Sequence, residues 1–282
     1  LDFISSRGMQ RDNLMIVDFL NLCFRYKHAN KKNFTADIIS TIQSLGTSYG
    51  AKDIIIAGDW GSEWRKNIYP AYKANREEMK AKQTQEEQDA FMEFLEECNR
   101  ALDVLSDMYK VFKFKGVEAD DIAAFLATNY AYKYNHVWLI SSDKDWDLLV
   151  CDNVSRFSYI TRKEIKLENW YEHYEYAPEN HISIKVLQGD TGDNVPGVPG
   201  IGVKRAAALI KEYGSALDIY DALPIKDKRK YIQNLNEFAN QILINYELMD
   251  LISYCEASIG QENIAKIIEE IRNLTEFELS ID

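Results

Sequence analysis

The sequence predicts an α/β fold, with a mostly parallel central sheet flanked by helices and a helical C-terminal domain behind it. Three observations predict it. Short apolar runs alternate with longer stretches of helical periodicity over roughly the first 165 residues. Each of those runs ends at or close to an acidic residue. Proline and glycine then concentrate in "QGDTGDNVPGVPGIG" (188–202), and the remaining pattern is helical.

The elements follow in order. "LMIVD" (14–18) is a short apolar run closed by an acid, and "DIIIAGD" (53–59) is an isoleucine-rich second. "VFKFKGVEADD" (111–121) alternates like a half-buried strand before an acidic cluster, and "HVWLISSDKDWD" (136–147) is the fourth run. Helices are expected at about 34–50, 77–109 and 120–134. In the second, Phe91, Phe94, Leu95, Cys98, Leu102 and Leu105 keep the spacing of one buried face. In the third, Ile122, Phe125 and Leu126 begin a similar stripe. After 188–202, "VKRAAALIKEYG" (203–214) reads as a helix. Two domains are expected, 9–175 and 176–282.

Composition narrows the function classes. The chain has 282 residues, 46% hydrophobic and 28% charged, which is ordinary for a globular protein with ample core. No apolar run reaches the ~18 residues of a membrane span. The opening "LDFISSRGMQRDN" lacks the apolar stretch of a secretory signal, so a cytoplasmic protein is expected. Cys23, Cys98, Cys151 and Cys255 form no Cys-x-x-Cys pair and read as reduced thiols. The histidines are equally scattered, so any metal site is expected to use oxygen ligands, favouring magnesium, manganese or calcium over zinc.

The net charge of −12 argues by itself against a polyanionic partner, but it is unevenly spread. Trp60 to Lys82 carries six bases against three acids, and "IKDKRKY" (225–231) four against one.

In a parallel sheet all strands end on one edge, where ligands bind. Asp18, Asp59, Glu118, Asp120, Asp121, Asp143 and Asp145 lie at or just after the ends of the four expected strands. Each cluster has a plain explanation alone: the acids at 118–121 suit the positive end of a helix dipole, and "GDTGDN" could be only a glycine-rich turn. "DKDWD" fails as a calcium loop, with Leu148 and Val154 where glycine and glutamate belong. Convergence is harder to explain plainly, because so many carboxylates at one edge repel unless cations neutralise them. Two magnesium ions roughly 3.5–4 Å apart serve phosphodiester hydrolysis in this way.

"IVDFLN", "AGDWGSEWRKNIYPAYKANR", "GVEADDIAA", "SSDKDWDLL" and "GDTGDNVPGVPGIGVKRAAALIKEYG" occur in this order over residues 14–214. Together they resemble the flap endonuclease / 5′-3′ exonuclease family, which includes stand-alone phage enzymes and the 5′-nuclease domain of bacterial DNA polymerase I. The resemblance implies a PIN-like catalytic core, a helical arch around 72–107 and a helix-hairpin-helix element. It implies hydrolysis of DNA flaps and ends during flap and primer removal, with two or more Mg2+ ions (Mn2+ substituting) and K+ at the hairpin. Branched or 5′-ended DNA is then the partner, and a monomer is expected.

By the same resemblance, Asp18, Asp59, Glu118, Asp120, Asp121, Asp143, Asp145, Asp190 and Asp193 are the metal ligands. Glu118, Asp120, Asp143 and Asp145 surround the ion at the catalytic centre, and Asp190 and Asp193 help hold a second. Asp147 lies outside the pattern and is expected to be solvated or capping. Lys73 and Arg76 face the scissile phosphate, with Asp143 at the chemistry, and Tyr72 stacks on a base. Arg25, Gly200, Gly202, Lys204 and Arg205 contact phosphates. One departure is Phe19-Leu20 after the first aspartate, where the family usually has glycine. Two rivals remain: a non-catalytic DNA-junction binding protein on the same fold, and an aspartate-dependent phosphatase using Asp143 as nucleophile. Magnesium-dependent flap cleavage would separate the first, and a trapped phosphoaspartate would favour the second.

Overall fold

The computed structural model describes residues 12–276; residues 9–11 and 277–282 of the two expected domains lie outside the described residues. Six strands form one sheet: β1 (Asn13–Asp18), β2 (Ala51–Gly58), β3 (Lys110–Lys113), β4 (Val137–Ile140), β5 (Val154–Ser158) and β6 (Lys163–Ile165). Their order is β3-β2-β1-β4-β5-β6, parallel throughout except for antiparallel β6. Sequence periodicity finds the first four strands and misses β5 and β6. The cause is visible in β5, which buries Ser155, Arg156 and Ser158 where a core strand would show apolar residues. Arg156 lies there because it bonds Asp147, whose carboxylate also accepts from Tyr174 Oη. Asp147 is therefore a buried ion-pair partner, not the solvated or capping acid expected.

The helices of the first part are α1 (Phe19–His28), α2 (Thr35–Ser48), α3 (Glu63–Ile68), α4 (Ala74–Ala81), α5 (Gln85–Ser106) and α6 (Ala119–Tyr130). Helix α1 follows β1 without a loop. Asp18 caps it by accepting the Asn21 N–H at 3.4 Å, and Phe19 turns into the core, 4% exposed. That is how the chain accommodates a bulky residue at this point. The single helix expected at 77–109 is two. Thr84 Oγ1 accepts the Glu87 N–H (3.2 Å) while the Glu87 carboxylate accepts the Thr84 N–H (2.8 Å), a capping box that starts α5 afresh. No residue from 73 to 93 is buried, so α4 and the first turns of α5 stand clear of the core.

Alternation along the strands sorts side chains to two faces. Leu14, Ile16, Ile55, Ala57, Val137 and Leu139 face α6, while Met15, Val17, Ile56, Trp138 and Ile140 face α1, α2 and α5. The C-terminal region continues with α7 (His181–Gln188), α8 (Val203–Tyr213), α9 (Ala216–Asp221), α10 (Lys230–Glu237), α11 (Ala239–Met249), α12 (Leu251–Ile259) and α13 (Gln261–Glu276). Residues of α7 to α11 enclose a separate apolar core. Leu251, Cys255, Ile259, Ile264, Ile267 and Ile271 of α12 and α13 instead complete the α6 face of the sheet. The packing thus crosses the division near 175 that the sequence suggests.

The loop after α7 closes on itself. Asp190 and Val195 exchange backbone bonds of 2.9 and 2.7 Å, and Gly189 takes φ +73°. A Cβ on Gly197 would lie 1.8 Å from the Gln188 carbonyl oxygen. Gly197→Ala is expected to destabilise the fold by roughly 2–3 kcal/mol, read as a lower denaturation midpoint. His181 opens α7 against Trp170 and Tyr174, with Nδ1 3.0 Å from Tyr176 Oη. Burial, then nearby Lys185, pushes its pKa down to about 4. The folded state therefore binds fewer protons than the unfolded chain below about pH 6.5, and stability falls as pH drops toward 4. Denaturant titrations of His181→Phe are expected to show the wild-type advantage shrinking by up to about 3 kcal/mol between pH 7 and pH 4.

Candidate active site

Each strand end hands an acid to the same edge. Asp18 ends β1 and Asp59 follows β2 directly. The loops after β2 and β3 are zipped by Trp60 N–H to Val117 O (3.0 Å), Gly116 N–H to Trp60 O (2.7 Å) and Glu63 N–H to Gly116 O (2.9 Å). This brings Glu118 to the start of α6, and Asp59 Oδ1 accepts the Ala119 N–H at 3.0 Å. After β4, Ser141 Oγ donates to Asp18 Oδ2 (2.5 Å) and accepts the Asp143 N–H (3.0 Å). Asp143 Oδ1 in turn accepts the Asp145 N–H at 2.9 Å. Trp146 Nε1 donates to Asp120 Oδ1 at 2.6 Å, joining α6 to this loop. From the other side the 188–202 loop brings Asp190 and Asp193, with Asp190 Oδ1 accepting the N–H groups of Gly192 and Asp193. Asp120, Asp145, Asp190 and Asp193 line a narrow cleft with Arg65 and Tyr72.

The electrostatics record the crowding. Burial raises Asp120 well above the usual carboxylate range, and Asp143, Glu118, Asp59 and Asp18 add repulsion. Burial and Asp59 raise Asp18 in the same way. Asp143 is pushed up to about 6 by burial and by Asp145. Burial also raises Asp59 and Glu118, partly opposed by cations. Several charges here are thus only partly compensated by the protein.

Three cations make up part of the deficit. Lys73 Nζ bonds Glu118 and lies 3.5 Å from Asp193 Oδ2, while Arg76 Nη2 is 2.6 Å from Asp193 Oδ1. Lys185 on α7 bonds Asp145. With these pairs in place, no group of three His, Cys, Asp or Glu side chains among the described residues is arranged to grip an ion. Lys73 sits at φ +58°, a strained conformation for a residue with a Cβ, and its N–H donates to Asp193 O at 2.8 Å.

Two expectations are corrected. Asp121 is fully buried and held by the protein itself: Arg65 takes both its oxygens (2.7 and 2.8 Å) and Ser258 Oγ donates to it at 2.6 Å. Its charge is already met by the protein. Tyr72 is 4% exposed, and its hydroxyl donates to Asp193 Oδ2 (2.9 Å) and Glu118 Oε2 (3.2 Å). A ring so buried has no free face for a base. Arg25 is exposed on α1 with its guanidinium 4.2 Å from the Tyr159 ring centre, outside the acid cluster. Gly200, at φ +85°, and Gly202, Lys204 and Arg205 lie at the far end of the loop that carries Asp190 and Asp193.

Sequence reasoning missed Arg65, Ser141, Trp146 and Lys185. Arg65 is the most consequential: 2% exposed on α3, it bonds Glu118 (2.9 Å), Asp121 and the Leu248 carbonyl (2.9 Å). Its one signal was a place inside "SEWRKN", where it reads as one more surface base.

Comparison with known proteins gives consistent matches. Residues 13–175 fit the model of the 5′-3′ exonuclease N-terminal resolvase-like domain, and 176–276 that of the 5′-3′ exonuclease C-terminal SAM fold. The flap endonuclease of Escherichia phage T5 is 46% identical over 94% of each chain. A 5′-3′ exonuclease of Buchnera aphidicola is 30% identical over 86% of this chain and 84% of its own length. Among solved structures, a bacteriophage T5 flap endonuclease variant in a complex with DNA and metal ions aligns with a TM-score of 0.89 at 44% identity, covering 94% of this chain and 99% of that one. With both halves of the fold matched and an acidic centre at their junction, the chain belongs to the 5′-3′ exonuclease family.

Proposed function

We propose that this chain is a divalent-metal-dependent, structure-specific 5′ nuclease that cuts DNA beside a single-stranded 5′ flap or end. The observation that carries this reading is the convergence of acids from four separate strand ends, where desolvation first and neighbouring carboxylates second raise Asp18, Asp120 and Asp143 above the usual carboxylate range. Such a set fits hard divalent cations, Mg2+ or Mn2+, because every donor is a carboxylate oxygen. Glu118, Asp120, Asp143 and Asp145 would surround the ion at the catalytic centre, partly through water, with Asp18 and Asp59 completing the acidic pocket, and Asp190 and Asp193 would help hold a second. Asp121 orients Arg65 and through it Glu118. The ions of such a pair supply Lewis acidity and neutralise charge at the phosphodiester.

The chain's own groups do the rest. Lys73 and Arg76, released from Glu118 and Asp193, present positive charge to the reacting phosphate as negative charge builds on it. Water adds to phosphorus and the P–O3′ bond breaks, leaving a 5′-phosphate and a 3′-hydroxyl. Helices α4 and the exposed start of α5 take the free 5′ strand as the arch. Gly200, Gly202, Lys204 and Arg205 hold duplex phosphates, with K+ at the hairpin, and Arg25 adds a further phosphate contact. We assign 13–175 to catalysis and 176–276 to duplex binding, with α12 and α13 structurally part of the first. The chain acts as a monomer, in the cytoplasm of an infected bacterium if phage-encoded. No helix among the described residues is long and apolar enough to cross a membrane.

Asp143→Asn is expected to abolish cleavage of a labelled 5′-flap substrate in magnesium while leaving binding in calcium largely intact. Normal magnesium-dependent cutting by that variant would overturn the site. Lys73→Ala is expected to slow single-turnover cleavage by roughly 100-fold or more with a much smaller change in Kd. An unaltered single-turnover rate would remove Lys73 from the reaction.

A further inference from the structure

Asp147 and Arg156 are both buried, and the proposed chemistry uses neither. The guanidinium meets the carboxylate through two nitrogens, Nε on Oδ1 and Nη2 on Oδ2, the second at 2.8 Å. Tyr174 Oη donates to the same Oδ2. The Tyr174 ring is fixed in turn, its centre 4.4 Å from that of Trp170 and 4.9 Å from that of His181, which meets it edge-on. A buried ion pair contributes little net stability over apolar residues of the same volume. What else Arg156 touches therefore decides what the pair is for.

Arg156 Nη1 donates to the Ser141 carbonyl at 2.9 Å. Ser141 is where the acid-bearing loop leaves β4, and its hydroxyl bridges Asp18 and the Asp143 N–H. The next residue is held from two sides: Asn21 Oδ1 accepts the Ser142 N–H at 2.9 Å, and Ser158 Oγ donates to Ser142 Oγ at 3.2 Å. Asp147 lies just past Asp145 in the short 3-10 turn Lys144–Leu149. One guanidinium on β5 thus grips this loop at both ends, at Ser141 and at Asp147, with Asp143 and Asp145 between them. Those two acids repel one another, and a loop free at either end would let them part. Mg2+ demands near-octahedral placement of its ligands, so such a change is felt directly in its binding.

We propose that Arg156, supported by Asp147 and Tyr174, is a positioning residue for the metal centre: it clamps both ends of the 141–147 loop and so presets Asp143 and Asp145 for divalent ions. This rests on the reading of the chain as a metal-dependent nuclease and adds to it a group that touches neither ion nor substrate. The clamp moves the ordering of the loop from ion binding to folding, which raises affinity for the ion without a further ligand. It also gives Asp147 a role distinct from that of the acids beside it.

The test compares the full chain with Arg156→Lys, with Tyr174→Phe and with the apolar pair Asp147→Leu/Arg156→Met, which leaves no unpaired charge in the interior. Calorimetric titration with Mn2+ in the absence of DNA reads the ion affinity. Single-turnover flap cleavage across a Mg2+ series reads the reaction, and flap-substrate Kd in EDTA reads DNA binding. Arg156→Lys, whose single ammonium cannot hold both ends, is expected to weaken Mn2+ binding by roughly 10–100-fold and to raise the Mg2+ concentration for half-maximal cleavage alongside it. Tyr174→Phe should shift both in the same direction by less, and Kd in EDTA should stay within about 2-fold of wild type for each variant. The apolar pair is expected to keep the wild-type denaturation midpoint and still show the Mn2+ deficit, which a merely structural role would not produce. Wild-type Mn2+ affinity in the folded apolar pair would overturn the proposal, as would wild-type affinity in Arg156→Lys or an equal loss of DNA binding in EDTA. A wild-type chain that neither binds Mn2+ nor cuts a flap would instead defeat the nuclease reading itself, so the two failures are distinguishable.

Discussion

The Arg65 guanidinium is the contact on which the site's assembly depends. It sits on the short helix α3, yet it reaches α6 through Glu118 and Asp121, α11 through the Leu248 carbonyl and α12 through the shared Ser258–Asp121 bond. A buried cation of this kind is tolerable only because its donors are satisfied, and the two acids are tolerable only because of it. Removing one partner from such a group typically costs about 3–5 kcal/mol, far more than a surface pair. Arg65 also sets Glu118 in place at the head of α6, so one interaction serves both packing and chemistry.

Around that fixed centre the remaining charges are deliberately less settled. Lys73, Arg76 and Lys185 lie on segments outside the strands, and each offsets an acid that the central sheet or the 188–202 loop delivers. Their pairs stand where cations and a phosphate are proposed to bind. Binding then means exchange of partners, with side chains already at hand turning from carboxylate to phosphate. The strained backbone of Lys73 fits this view, since it places an ammonium between the acids and the exposed helices α4 and α5.

The two halves of the chain are less separable than their family models suggest. Helices α12 and α13 cover the same sheet face as α6, while α7 to α11 keep their own core. The loop between α7 and α8 joins the functions directly: Asp190 and Asp193 at one end belong to the acid cluster, and Gly200 and Gly202 at the other belong to the hairpin. That loop thereby links the place where a duplex is proposed to be held to the place where a strand is proposed to be cut.

What the sequence determined by itself was the order of elements and the acids at their ends, because parallel strands buried on both faces are plainly apolar and a strand end is a simple boundary. The motif order from Asp18 to Arg205 carried the family as well. What it did not determine was which charges meet. Asp121 and Asp147 read like their neighbours, but one belongs to Arg65 and the other to Arg156, and β5 was hidden by that second pair. Tyr72 read as a stacking ring and is a buried hydrogen-bond donor. Lys185 and Trp146 come from distant segments with no shared pattern. Periodicity encodes which face of an element is buried; only tertiary packing decides which polar groups are brought within reach of one another, because that pairing is set by the loops and by desolvation rather than by local repeat.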